Sequence, residues 1–159
     1  MSTNRIYIVL ILCLSTVFNV IGQNSSDEQD IKQTILTFFE GMHSGDTAII
    51  ATTISPNLKL ESTYINKQNE VKIKASGRNE FLMAVAQKKD TDIWLEKLLS
   101  FEIHINYPLA SVWTPYEFYL NSKYSHCGAN SFQLVKIDKE WKIIYLIDSR
   151  KKSDCKPTN

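Results

Sequence analysis

The sequence predicts an α+β fold with its elements in the order ααββαββββ. Three observations carry that expectation. Apolar residues recur at helical spacing from Asp27 to Ile54, and again from Gly77 to Lys89. From Asn57 to Ala75, and over the last third of the chain, the period is two. Nothing repeats and no stretch is of low complexity, so one meandering, mostly antiparallel sheet with helices on one side accounts for the whole pattern.

The elements follow in order. Ser26 reads as the cap of the first helix, with Asp27 and Glu28 in its first turn. Ile31, Ile35, Phe38, Phe39 and Met42 form its apolar stripe, and Gly45 closes it. Asp46 caps a short second helix that Pro56 ends. Residues 57–66 and 70–75 read as two strands around a turn at 66–69. The third helix, residues 77–89, turns Phe81, Leu82 and Val85 to one side. Four strands remain. Residues 96–106 put Leu99, Phe101, Ile103 and Ile105 on one face, residues 110–120 are aromatic and β-branched, and 125–137 pairs with 140–148 as a hairpin. Phe38, Phe39, Phe132, Leu134 and Trp141 are expected in the core.

The first 22 residues read as an export signal. Arg5 precedes an apolar run from Ile6 to Leu14 that loosens towards Ile21, and Val20 and Gly22 are the small residues before a cut at Gln23. A membrane anchor fits less well, because Ser15, Thr16 and Asn19 break the run and a span needs about 20 apolar residues. The expected location is secreted or periplasmic. The expected organisation is a signal at 1–22, a polar leader at 23–26, one domain at 27–151 and a tail at 152–159. The chain without its signal carries 17 basic and 17 acidic residues. That balance and the lack of a basic block argue against nucleic acid as a partner. No ligand spacing suggests a metal, no glycine-rich loop suggests a nucleotide, and no cofactor is implied. Cys127 and Cys155 survive signal removal and are expected to form a disulfide in an oxidising compartment; two free thiols are the other reading.

The helix pair joined by "SGD", the strands of "VWTPYEFYLNSKYSHCG" and the closing "WKIIYLID" resemble the nuclear transport factor 2-like superfamily. They resemble most its SnoaL-like branch of small exported bacterial proteins, sometimes labelled lumazine-binding. The resemblance covers residues 27–151. It implies a cone, in which a strongly curved sheet wraps three helices and leaves a pocket at its open end. Relatives include isomerases, dehydratases and cyclases, so the fold alone does not give a function. The isomerases' base and oxyanion-holding pair have no counterpart among these residues.

Hairpin register decides which side chains share a face. A three-residue loop, "DKE", opposes Val135 to Ile143 and Leu134 to Ile144, apolar against apolar, and is preferred to the two-residue loop "DK". It sets Asn130 opposite Asp148 and His126 opposite Arg150. A two-residue turn at Asn121–Ser122 aligns Glu117 with His126 and Trp113 with Asn130. One face then carries Trp113, Glu117, His126, Asn130, Asp148 and Arg150, a candidate ligand site. His126 with Asp148 or Glu117 is the candidate acid–base set. An ionic network closing the end of the sheet is the structural alternative. Strand geometry counts against a Cys127–His126 dyad, since neighbouring strand residues point to opposite faces. His43 is read as a cation in the last helical turn and His104 as solvated. Tyr64, Tyr116, Tyr119 and Trp94 are candidates for a pocket mouth or for the core. The sequence is consistent with an exported binder of a small molecule, with a lyase or isomerase in the same pocket, or with an interaction module that dimerises through the sheet.

Overall fold

The computed structural model describes residues 18–152 and Cys155. Helix α1 spans Phe18–Ser44, α2 Thr47–Thr53 and α3 Arg78–Ala86. The strands are β1 Ile54–Ile65, β2 Val71–Gly77, β3 Trp94–Leu98, β4 Glu102–Asn106, β5 Leu109–Leu120, β6 Lys123–Ile137 and β7 Glu140–Lys151. Most of the expected export signal lies outside the described residues. No helix among the described residues is long and apolar enough to cross a membrane.

The α+β class and the element order stand, with one strand divided. Residues 94–106 form two strands, β3 and β4, that pair with opposite ends of β5. The break faces Pro115, which has no N–H to give a neighbouring strand; its carbonyl accepts from Leu99 N at 2.9 Å. The sheet order is β2-β1-β7-β6-β5-β3, with β4 also on β5. Every pairing is antiparallel except β1 with β7.

Helix α1 extends further back than the sequence suggested. Residues 23–26 are helical, and Ser26 lies within the helix as an exposed residue, not at a cap. The reason is that the preceding turn already supplies carbonyls to its first N–H groups, so no side-chain cap is needed there. Asp46 does cap α2, its carboxylate accepting from the N–H groups of Ala48 and Ile49 at 2.9 and 3.1 Å. Gly45 ends α1 at φ 78°, a left-handed conformation that glycine adopts without a Cβ penalty.

The β5–β6 and β6–β7 loops are each two residues long with left-handed φ at each central position: Asn121–Ser122 and Asp138–Lys139. That is the turn geometry matching strand twist. Each ladder then slips by one residue at a bulge. The β6–β7 loop is thus "DK", not "DKE", and Lys136 opposes Trp141. Beyond the irregularity at Gln133–Leu134, Asn130 faces Asp148 as expected; the same register puts Arg150 opposite Gly128, so the expected pairing of Arg150 with His126, two residues out of that register, does not form. The second slip, at Phe118–Tyr119, pairs Phe118 with His126, Glu117 with Cys127 and Thr114 with Asn130. The pairing of Lys136 with Trp141 beside the β6–β7 loop has its own cause. Lys136 and Trp141 converge on Asp27 of α1, which is 3% exposed; Trp141 Nε1–H donates to it at 3.1 Å and Lys136 forms an ion pair with it.

The core fills the concave side of the sheet. Phe38, Phe39, Phe132, Leu134 and Trp141 are all buried, as expected. Phe38 stacks on Phe81 of α3 with centroids 5.5 Å apart and meets Phe132 edge-on at 6.3 Å. The helices cover only part of the concave surface. Beyond Phe39 and Phe81 the lining turns polar.

Candidate functional site

Residues of β1, β2, β3, β5, β6 and β7 line a cavity of about 640 Å³, bounded by α1 and α3. Its apolar floor is Phe38, Phe39, Met42, Leu60, Phe81 and Leu146. Its polar wall holds Ser62, Glu96, His126, Asn130, Asp148 and Arg150. The size and the mixture match a small-molecule pocket, where an apolar lining carries a few convergent polar groups.

Of the six residues expected to converge, the structure brings four together: His126, Asn130, Asp148 and Arg150. Trp113 and Glu117 lie on the opposite face, because the bulge beside Tyr119 shifts β5 by one residue relative to β6 and reverses the side of each. Trp113 is 49% exposed there. Glu117 accepts from the Tyr119 hydroxyl at 2.9 Å and has Lys97 at 3.9 Å. Glu117 is therefore not a partner for His126, and Tyr119 is not at the pocket mouth. Tyr64 and Trp94 do line the cavity.

Asp148 anchors the wall. Its Oδ1 accepts from the Ser62 hydroxyl; its Oδ2 accepts from Arg150 Nε at 2.8 Å and from the Tyr116 hydroxyl at 3.0 Å. Arg150 Nη2 also donates to Ser62 Oγ at 3.1 Å. Tyr116 reaches across from β5 over Gly128, and a Cβ built at Gly128 would sit 1.7 Å from the Ser149 carbonyl oxygen and 2.9 Å from the Tyr116 ring. Only glycine permits this close approach. Burial, and then the Asp148 charge, raise the Tyr116 pKa well above its usual value, so its phenol stays protonated. Asp148 is thus fully engaged by donors, which suits a structural anchor better than a base that must collect a proton.

Glu96 on β3 is the acid–base group that sequence reasoning did not select. Asn130 Nδ2 donates to its Oε1 at 2.7 Å. Burial pushes its carboxyl up to about 7; the Asn130 amide and the more distant Arg150 oppose that shift, and the Asp148 charge adds to it. The signal was present in "WLEKL": with a strand beginning at Trp94, alternation sets a glutamate between two apolar residues on the inward face. Reading 96–106 as one continuous strand concealed it, because the break between β3 and β4 changes which parity faces inward.

His126 stacks on Phe118 with centroids 4.9 Å apart and meets Tyr116 edge-on at 5.8 Å. Its Nδ1 lies 3.0 Å from the Ser125 hydroxyl. Burial first, then the Arg150 charge, hold its pKa below the ordinary value, and Asp148 only partly offsets them. It is consequently a neutral imidazole at pH 7. His43 departs from its expected role as a cation at a helix end. Its Nε2 accepts from the backbone N–H of Glu96 at 2.8 Å, which requires that nitrogen to be unprotonated, and burial lowers its pKa. His43 therefore ties α1 to the strand bearing Glu96. His104 is exposed beside Glu102, as expected. Cys127 and Cys155 form a disulfide with Cα atoms 5.9 Å apart, so Cys127 is not available as a nucleophile.

No family model matches the chain, and no curated protein matches it in sequence. Solved structures do match. A protein of unknown function from Mycobacterium tuberculosis superposes with a TM-score of 0.68 at 12% identity, covering 87% of this chain and 80% of that one. A nuclear transport factor 2-like protein with a cystatin-like fold from Novosphingobium aromaticivorans gives 0.67 at 11% identity, covering 88% and 92%. A member of the same fold group from Streptomyces avermitilis, provisionally described as a dehydratase, gives 0.60 at 13% identity, covering 82% and 99%. At these identities the likeness concerns the fold: the chain adopts the nuclear transport factor 2-like, cystatin-like architecture.

Proposed function

We propose that this protein binds a small, largely apolar molecule inside the cone, with one polar end directed at the wall of Glu96, Asn130 and Arg150. The observation that carries the reading is the cavity of about 640 Å³, in which an aromatic and aliphatic floor meets a single cluster of hydrogen-bonding groups. A floor of that kind rewards burial of apolar surface at about 25 cal/mol per Å². The cluster supplies orientation. Native mass spectrometry of freshly purified protein tests it: a co-purified small organic molecule is expected. A clean spectrum, together with no binding from a library of small aromatic and aliphatic compounds, would overturn the reading.

One observation favours a catalytic version of the same site. A carboxyl with a pKa of about 7 exchanges its proton readily at neutral pH, as a general acid or base must. In that version Glu96, not Glu117, moves the proton in a lyase or isomerase reaction, and Asp148 with Tyr116 holds the wall. Loss of turnover by 10²–10⁴-fold in Glu96→Gln, with ligand affinity kept, is the expected mark of it. The outer face supports a separate proposal of self-association through the sheet, since Trp113 stands exposed there beside Ser131. A dimer in solution that Trp113→Ala converts to monomer would be its signature. Export of the chain is likewise proposed from the leader sequence alone.

A further inference from the structure

This inference rests on the reading above and names the chemistry of the ligand. Glu96 has a donor but no cation. The Asn130 amide that donates to Oε1 at 2.7 Å stabilises the ionised carboxylate, not the acid. None of the ion pairs among the described residues includes Glu96.

The charged and titratable groups around it are otherwise engaged. On β7, Arg150 gives Nε to Asp148 and Nη2 to Ser62, so that pair is internally balanced. On α1, His43 presents an unprotonated nitrogen to the Glu96 backbone, and on β6 His126 is held neutral. Tyr116 of β5 keeps its proton. At the rim, Glu61 of β1 accepts from the Tyr145 hydroxyl, while Lys74 of β2 and Glu80 of α3 stand exposed to solvent with opposite charges. The wall therefore lacks one positive charge beside a carboxylate already supplied with a donor. The rings of Phe39, Trp94 and Phe118 line the same cavity, and aromatic faces attract organic cations.

We propose that the cavity takes a small organic cation, an ammonium group on an apolar body, with Glu96 as its counter-ion and the aromatic wall around it. A half-buried carboxylate without a counter-ion is costly, so Glu96 holds a proton for part of the time until the cation arrives. Binding then displaces that proton. With the Glu96 carboxyl titrating at about 7, a permanently charged ligand that meets only the ionised form gains affinity as pH rises. A neutral ligand that accepts a hydrogen bond from the acid form would show the opposite slope.

The test uses benzyltrimethylammonium, whose charge does not titrate, and neopentylbenzene, its uncharged carbon analogue, both followed by NMR with the purified protein. The cation is expected to bind about tenfold more tightly at pH 8 than at pH 6, and to outcompete the neutral analogue at pH 8. Calorimetry in two buffers of different ionisation enthalpy is expected to count about half a proton released at pH 7. Glu96→Gln is expected to abolish the pH dependence; if that variant does not fold, the proton count in the unaltered protein decides. Neutral analogue bound as well as the cation, or cation affinity that is flat or falls with pH, would overturn the cation while leaving the cavity reading intact. Failure of both probes to bind would overturn both.

Discussion

Glu96 keeps its proton in the folded protein up to about pH 7, whereas an unfolded glutamate releases it near 4.5. The sign of the consequence follows from linkage. Below pH 4.5 both states are protonated and the residue is neutral to stability. Between the two values the unfolded chain ionises first, so stability falls as pH rises and levels off above 7. Glu96→Gln removes this penalty, and the variant is expected to gain about 1–3 kcal/mol over the unaltered protein at pH 8 and nothing at pH 4. Urea midpoints at the two pH values measure it; a gain that is equal at both would show that the carboxyl is not buried as described. At this scale the sequence was partly legible. His126, Asn130, Asp148 and Arg150 do share a cavity wall. Glu96 escaped notice because the break between β3 and β4 changes the inward parity, which one continuous strand over 96–106 does not allow. Glu117 and Trp113 were misplaced because a bulge leaves no mark in composition: Ser125 is as compatible with a regular ladder as with the extra residue it contributes here.

The elements are joined by a few polar fastenings that the apolar periodicity does not reveal. Asp27 is one. It fastens the first described turns of buried helix surface to the β6–β7 hairpin through Trp141 and Lys136, and the residue reads in sequence only as a helix-dipole partner. Burial alone would raise its pKa, but the contacts to Lys136 and Trp141 hold it below the ordinary value. Its contribution is therefore complete above the normal aspartate range and fades as pH falls beneath it. Asp27→Ala leaves the Trp141 N–H and the Lys136 ammonium without their acceptor and is expected to cost about 3 kcal/mol at pH 7, with a smaller deficit at pH 3. Denaturant melts at both pH values check this; a loss under about 0.5 kcal/mol at pH 7 would mean that the fastening is incidental. The same fastening explains the hairpin. Apolar matching alone favoured the three-residue loop, but Asp27 rewards Lys136 opposite Trp141, and the bulge further along restores the register that Asn130 and Asp148 need.

At the scale of the whole molecule, the class, the element order and the core were readable because each rests on periodicity summed over many residues. The pocket was readable only as a consequence of the curved sheet, and its contents depend on two one-residue slips. The Cys127–Cys155 bond closes a 28-residue separation that includes most of β6 and all of β7, with Asn130, Asp148 and Arg150 of the polar wall. A loop of that size stabilises by about 3–4 kcal/mol in the chain-entropy account, so reduction is expected to lower the melting temperature and to expose two thiols that the native protein lacks. Equal thiol counts before and after reduction would contradict the bond. The central claim is that a ligand enters the concave side of the cone and not the outer face of the sheet. Chemical-shift mapping with neopentylbenzene tests it most directly. Shifts gathered at Phe39, Leu60, Phe118, Asn130 and Leu146, with Trp113 and Ser131 unmoved, are the expected result. Shifts confined to Trp113, Ser131 and their neighbours on the outer face would contradict it.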